Sequence, residues 1–221
     1  MARRSPQLEW QGSLLASGDP TPDRSFAALV RRPLGDGAWV DHGPGWLAGA
    51  DALFDELLHT TPWQAHEVPM YGQRLPQPRL SARWVRSPHD PVLPAVIGAM
   101  ADALSSRYGV TFDSVGANLY RTERDSVPWH GDRVLRTVPV ATVAVVSLGA
   151  TRAFQLRPRG GGPSVTFNPG PGDLVVMGGT CQRTWQHTVP KRAGPIGPRI
   201  SVTFRHQVVS GGRRQTYAGL S

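Results

Sequence analysis

Apolar positions along the chain fall into two helical stretches and a longer series of strand-like runs. From near Leu47, the residues Leu53, Phe54, Leu57 and Leu58 gather on one side of a 3.6-residue period and the pattern stops before Pro62, which predicts a packing helix. A second helix is predicted from Pro91 to Tyr108, where Leu93, Val96, Ile97, Met100 and Leu104 recur at helical spacing and Gly109 ends the run. From Val115 onward the pattern changes to short apolar runs separated by glycine, proline and charged turns. The runs are Val115 to Tyr120, Val138 to Ser147, Ala153 to Leu156, Ser164 to Phe167, Asp173 to Met177, Thr184 to Val189 and Ile200 to Val208. Short strands following two helices predict a mainly β fold with supporting helices, in the α+β class, and a double-sheet jelly roll is one way to close such a set.

Two stretches fit neither pattern. The first 45 or so residues, with turns at Gly18-Asp19-Pro20-Thr21-Pro22 and Gly35-Asp36-Gly37, read as short strands around Trp10, Phe26 and Trp39 and as an adornment of the fold. Residues 63 to 89 carry Trp63, His66, Tyr71, Arg74, Arg79, Arg83, Trp84 and Arg86. Pro69, Pro76, Pro78 and Pro88 interrupt them, so that an extended basic and aromatic loop system is expected rather than a long regular element.

Composition narrows the class. A length of 221 residues suits one domain, and seven tryptophans with 39% hydrophobic residues support a packed core. No apolar run approaches the roughly 20 residues a membrane span requires, and no signal core follows Met-Ala-Arg-Arg, so a cytoplasmic protein is expected, acting as a monomer without a membrane. Cys181 is the sole cysteine, which excludes an internal disulfide and suggests a small buried side chain. The net charge of +8 favours a polyanionic partner, and because Lys191 is the only lysine nearly all the positive charge is guanidinium, the group suited to bidentate phosphate contact.

Within this frame, His130-Gly131-Asp132 sets an imidazole and a carboxylate two residues apart, on the same side of an extended segment. The tripeptide alone fits either a metal pair or a histidine held by a turn carboxylate. A third ligand must come from a distant strand, and His187 in Thr184-Trp185-Gln186-His187 is best placed. Two neutral imidazoles and a carboxylate on one face of an octahedron leave three adjacent positions open, as in non-haem iron oxygenases. Arg199, Ser201, Thr203 and Arg205 alternate with Ile200, Val202 and Phe204, giving one predicted strand a polar cationic face and an apolar one. Turned inward, two arginines require anionic partners, and a dicarboxylate chelating the metal would satisfy both; turned outward, they form a basic surface strand. Asn118 and Tyr120 share a face in the same way and offer an amide and a phenol to one cavity, unless Tyr120 is simply a core aromatic.

In this order and spacing, Asn118-Leu119-Tyr120, His130-Gly131-Asp132, His187 and Arg199 through Arg205 make the chain resemble the AlkB family of nucleic-acid dealkylases over about residues 60 to 208. Ser147-Leu148-Gly149-Ala150 with Arg152 and Phe154, and the turn Pro169-Gly170-Pro171-Gly172, add scaffold to the likeness. The resemblance implies a double-stranded β-helix, or jelly roll, with an N-terminal nucleotide-recognition lid. Residues 1–221 then form a single dioxygenase domain: an N-terminal extension and helix at 1–60, the lid at 61–90, a helix and jelly-roll core at 91–208 and a tail at 209–221. It also implies Fe(II), 2-oxoglutarate as cosubstrate and O2, with His130, Asp132 and His187 holding iron. Asn118, Tyr120, Arg199, Ser201 and Arg205 are then assigned to 2-oxoglutarate, with Thr203 close by. The implied reaction decarboxylates 2-oxoglutarate to succinate, hydroxylates the alkyl carbon and releases it as an aldehyde.

The implied partner is DNA, single- or double-stranded, with RNA or a protein side chain as the alternative and a binding module without turnover as a further one. In the lid, Trp63, Tyr71, Arg79 and Trp84 are the expected substrate contacts, since aromatic faces stack bases and guanidinium groups meet phosphates; for each, ordinary surface or core packing is the other reading. One departure bears on the base. Where well-known members carry an acidic residue just past the metal aspartate, this chain reads Asp132-Arg133-Val134, and neither Arg133 nor Val134 can accept a hydrogen bond from a base amino group.

Overall fold

The computed structural model describes residues 18–70, 73–85, 93–132, 140–206, 209–210 and 213–214. In chain order the elements are β1 (Thr21–Pro22), β2 (Val30–Gly35), β3 (Ala38–Gly43), β4 (Leu47–Ala48), α1 (Ala50–Thr60), β5 (Gln64–Met70), β6 (Gln73–Val85), α2 (Ala95–Tyr108), β7 (Phe112–Tyr120) and β8 (Val127–His130). There follow β9 (Val143–Gly149), β10 (Phe154–Pro158), β11 (Val165–Phe167), β12 (Leu174–Gly179), α3 (Cys181–Thr184), β13 (Trp185–Val189) and β14 (Arg199–His206). Among the described residues no helix is long and apolar enough to cross a membrane.

Two antiparallel sheets form the body: an eight-stranded one in the order β2-β3-β12-β9-β14-β7-β6-β5, and a four-stranded one in the order β11-β10-β13-β8. Period-two alternation sorts the side chains of the large sheet. Val115, Ala117 and Leu119 of β7, with Ile200, Val202 and Phe204 of β14, join Leu53, Phe54 and Leu57 of α1 and Ile97, Met100 and Leu104 of α2 in one core. Val143 and Val145 of β9 and Val175 and Met177 of β12 point the other way and meet Phe154, Leu156 and Val189 of the small sheet in a second. The result is the jelly roll expected, with α1 and α2 stacked on one outer face. Helix α2 stops where Gly109 adopts φ 66° and returns its N–H to Ser105 O at 3.0 Å.

The structure corrects two readings of the pattern. From residue 18 onward the N-terminal segment is structural rather than an adornment, with β3 paired to β12 along six residues and β2 extending the sheet by one more strand; Trp10 lies outside the described residues. Asp41, 1% exposed, accepts Arg31 Nε and Nη2 at 2.7 and 2.8 Å and the Tyr108 hydroxyl at 2.9 Å, which ties this hairpin to α2. Residues 64–70 and 73–85 are not a loop system either, because β5 and β6 pair antiparallel and β6, 13 residues long, pairs with β7; residues 71–72 and 86–89 lie outside the described residues. Pro78 is tolerated because the β5–β6 ladder skips from Ala65↔Leu80 to Glu67↔Pro76, so that residues 77–79 fall in an irregularity where no donor to β5 is needed.

Candidate metal and cosubstrate site

A cavity of about 570 Å³ opens between the sheets, lined by the polar faces of β14, β7 and β6 and by inward residues of the small sheet. His130, Asp132, His187, Asn118, Tyr120, Arg199, Ser201, Thr203, Arg205 and Arg79 all line it, although they come from five separate stretches of chain.

His130 and His187 are direct cross-strand partners on β8 and β13, their ring centroids 4.2 Å apart. His130 Nδ1 lies 2.9 Å from Pro128 O, which assigns the proton to Nδ1 and leaves Nε2 as the lone-pair nitrogen. Burial lowers the His130 pKa, and burial next to His130 pushes His187 down to about 3, so both rings are neutral and able to coordinate. Burial raises the Asp132 carboxyl, but the Arg205 guanidinium, through its charge and its hydrogen bond, leads the influences that outweigh it and hold the group below its usual range. Arg205 Nε and Nη2 reach Asp132 Oδ1 at 3.1 and 3.0 Å, while Asp132 Oδ2 is buried without a partner. Among the described residues no three His, Cys, Asp or Glu side chains are closed into a metal cage. The donors nevertheless fit an iron ion: two neutral imidazoles and an orphaned carboxylate oxygen converge on one cavity, and Arg205 holds only the other oxygen.

Beside this group stands a second unmet demand. Arg199 is 1% exposed; Nη2 donates to Ser147 Oγ at 2.7 Å, but Nε and Nη1 have no partner. Burial lowers its pKa and the Tyr120 phenol, with its ring centroid 5.4 Å from the guanidinium carbon, opposes that shift. Ser201 and Thr203, both buried, follow on the same face of β14. The Asn118 amide oxygen, expected to serve a cosubstrate, accepts Arg79 Nε at 3.0 Å. Behind Tyr120, Arg152 donates to the carbonyls of Thr122, Asp125 and Pro190 at 3.1, 2.9 and 2.8 Å, bracing the loop before β8.

The proposed substrate contacts divide. Arg79 lines the cavity. Trp84 does not: it is 5% exposed in the helix-side core, and Trp63 packs partly buried against the same core. This takes both tryptophans off the cavity wall, and for Trp84 the reason is strand alternation along β6, since Leu80 and Trp84 face the helices whereas Arg79, Ser81 and Arg83 face the cavity. Tyr71, Arg133 and Val134 lie outside the described residues. Pattern reasoning missed Gln64, Gln77 and Ser81 on the cavity wall, and Gln182, whose Oε1 accepts the Asp132 N–H at 3.2 Å. Recognising β6 as a strand would have revealed the wall; no signal in the sequence points to Gln182.

The profile of the 2OG-Fe(II) oxygenase superfamily matches residues 44–205. The human alpha-ketoglutarate-dependent dioxygenase alkB homolog 3 is 32% identical over 174 residues, covering 71% of this chain and 61% of the relative. The DNA oxidative demethylase ALKBH2 of Arabidopsis thaliana is 29% identical over 193 residues, 69% of this chain and 60% of its own. The chain thus spans about three fifths of the length of the curated relatives it matches. The solved structure of OsALKBH1 superposes on 80% of this chain and 100% of its own with a TM-score of 0.54 at 15% identity, a likeness of fold. The chain belongs to the 2OG-Fe(II) oxygenase superfamily, and within it to the AlkB family.

Proposed function

We propose that this chain is an iron(II)- and 2-oxoglutarate-dependent dioxygenase that oxidatively dealkylates bases in DNA. One observation carries the reading: a single cavity contains an unpartnered carboxylate oxygen on Asp132 and a buried Arg199 guanidinium with two unpartnered nitrogens, a demand for a cation and an anion side by side. His130, Asp132 and His187 would hold Fe(II). Arg199 would pair with a carboxylate of 2-oxoglutarate, with Ser201, Tyr120 and Asn118 as neighbouring polar groups, Thr203 close by and Arg205 between cosubstrate and Asp132. Bound there, iron, 2-oxoglutarate and O2 supply the oxidant that hydroxylates the alkyl carbon, which then leaves as an aldehyde.

The chain's own groups contribute in three ways. Arg205 keeps Asp132 ionised, burial keeps the imidazoles neutral, and Val143, Val145, Phe154 and Met177 close the cavity with apolar walls that exclude water. The β5–β6 hairpin carries the substrate wall, with Gln64, His66, Gln77, Arg79, Ser81 and Arg83 directed to the cavity. Asp132 is the single carboxylate among the described lining residues, against Arg79, Arg83, Arg199 and Arg205, which suits a substrate that carries phosphodiesters. The name DNA oxidative demethylase borne by a relative supports DNA as the polymer, and Tyr71 remains our candidate contact for the flipped base or the stack.

The test is product analysis with matched single-stranded DNA and RNA oligonucleotides carrying N1-methyladenine or N3-methylcytosine, supplied with Fe(II), 2-oxoglutarate and O2. Formaldehyde and succinate in equal amounts from the DNA are expected. No product from folded protein on either polymer would refute the dealkylase reading, and product from RNA alone would refute DNA as the substrate.

A further inference from the structure

Asp132 lies past His130, the last residue of β8, and its N–H donates to a side chain rather than to a strand partner. The acceptor, Gln182 Oε1 at 3.2 Å, belongs to an amide that is 1% exposed. The other end of that amide is also engaged, with Nε2 directed at Met177 Sδ at 3.7 Å. Rotating the amide by half a turn would lose both contacts, so its orientation is fixed.

Helix α3, which carries Gln182, is itself braced by Arg159 where it lies against the same segment. Arg159 Nε donates to Arg183 O at 3.0 Å and Nη2 to Gln182 O at 3.5 Å. Gly131, between His130 and Asp132, runs so close to this contact that a Cβ would stand 2.7 Å from Arg159 Nη2 and 3.3 Å from Gln182 O. The chain leaves α3 directly into β13, which places His187. One short turn therefore carries the strand of one histidine and holds the segment bearing the other two site residues.

We infer that Gln182 is a positioning residue for the metal face, anchoring the Asp132 backbone so that Oδ2 stays turned to the ion while Arg205 holds Oδ1. The inference rests on His130, Asp132 and His187 being the ligands. Without the anchor, the carboxylate is free to turn both oxygens to Arg205 and withdraw from the metal. Loss of comparable outer-sphere partners weakens metal binding by about 10- to 100-fold.

The experiment titrates Co(II) into metal-free full-length protein, reading the visible absorption bands of the bound ion, for wild type, Gln182→Met, Asp132→Ala and the double variant. Gln182→Met is expected to weaken Co(II) binding about 10- to 100-fold and alter the bands. Its metal-free melting temperature should stay near that of wild type. In the Asp132→Ala background the same substitution should change affinity less than about twofold, because a residue acting through Asp132 has nothing left to act on. An equal penalty in both backgrounds, or unchanged affinity in the single variant, overturns the inference. So does failure of both Gln182→Met and Gln182→Leu to fold without metal, which would assign the residue to the core. Wild-type protein that binds no Co(II) would instead overturn the ligand reading on which the inference stands.

Discussion

Arg199 allows a prediction in which stability and binding move in opposite directions. Replacing it by Met keeps an unbranched but shorter stem and removes a buried charge with two unpartnered donors. Each unmet donor costs about 1 to 3 kcal/mol, and depriving the Ser147 hydroxyl of its partner returns about 1 kcal/mol of that. The ligand-free variant should therefore gain on the order of 1 to 5 kcal/mol. At about 2 to 4 °C per kcal/mol for a chain of this size, its melting temperature should rise by at least about 2 °C. Binding of 2-oxoglutarate should fall, since two charge-assisted hydrogen bonds contribute about 1.5 to 3 kcal/mol each, a loss of about 100-fold or more in affinity. Differential scanning calorimetry without ligand and titration calorimetry of 2-oxoglutarate into the Mn(II)-loaded protein measure the two effects. A variant that melts lower than wild type and still binds 2-oxoglutarate normally would refute the claim that this guanidinium is held in readiness for an anion.

Other substitutions separate scaffold from site. Trp84→Ala should cost about 3 to 5 kcal/mol in urea unfolding, whereas Trp84→Phe should fold and bind methylated single-stranded DNA as wild type does; weaker DNA binding by a stable Trp84→Phe protein would return this residue to the substrate surface. Gly178→Ala would drive a Cβ into the Trp39 ring, so it should destabilise the protein by about 1 to 3 kcal/mol or more, and a wild-type urea midpoint would detach the β2–β3 hairpin from the sheet. Burial, with the Asp132 charge adding to it, pushes the Cys181 thiol up to about 12 from an ordinary 9.0. Between those values the native chain keeps a proton that the unfolded chain has released, so this group's contribution to stability declines as pH rises through the window, by about 1.4 kcal/mol per pH unit. Native protein at pH 8 should accordingly resist an aromatic disulfide reagent until denaturant is added; stoichiometric labelling within minutes would contradict the burial.

How far the sequence revealed this molecule depended on whether the two faces of each strand differ in chemistry. On β14 and β7 they do: Arg199, Ser201, Thr203 and Arg205 alternate with Ile200, Val202 and Phe204, and Asn118 and Tyr120 with Ala117 and Leu119, so period two alone divided cavity from core. The same rule applies to β6, where it separates Arg79 from Trp84, but Pro76 and Pro78 suggest a loop, and the register skip that tolerates Pro78 is a property of the pairing with β5 and not of the segment. The place of the N-terminal hairpin in the sheet is hidden for a related reason, since it depends on pairing with β12, more than 130 residues later. Metal-site support is harder still to see, because Gln182 is 50 residues from Asp132 and sits in a four-residue helix that local propensity does not announce. Side chains that face the cavity follow from local alternation, whereas those that hold a ligand's backbone follow from tertiary closure. Variation at Gln182 would therefore be expected to alter metal retention without altering any recognisable motif.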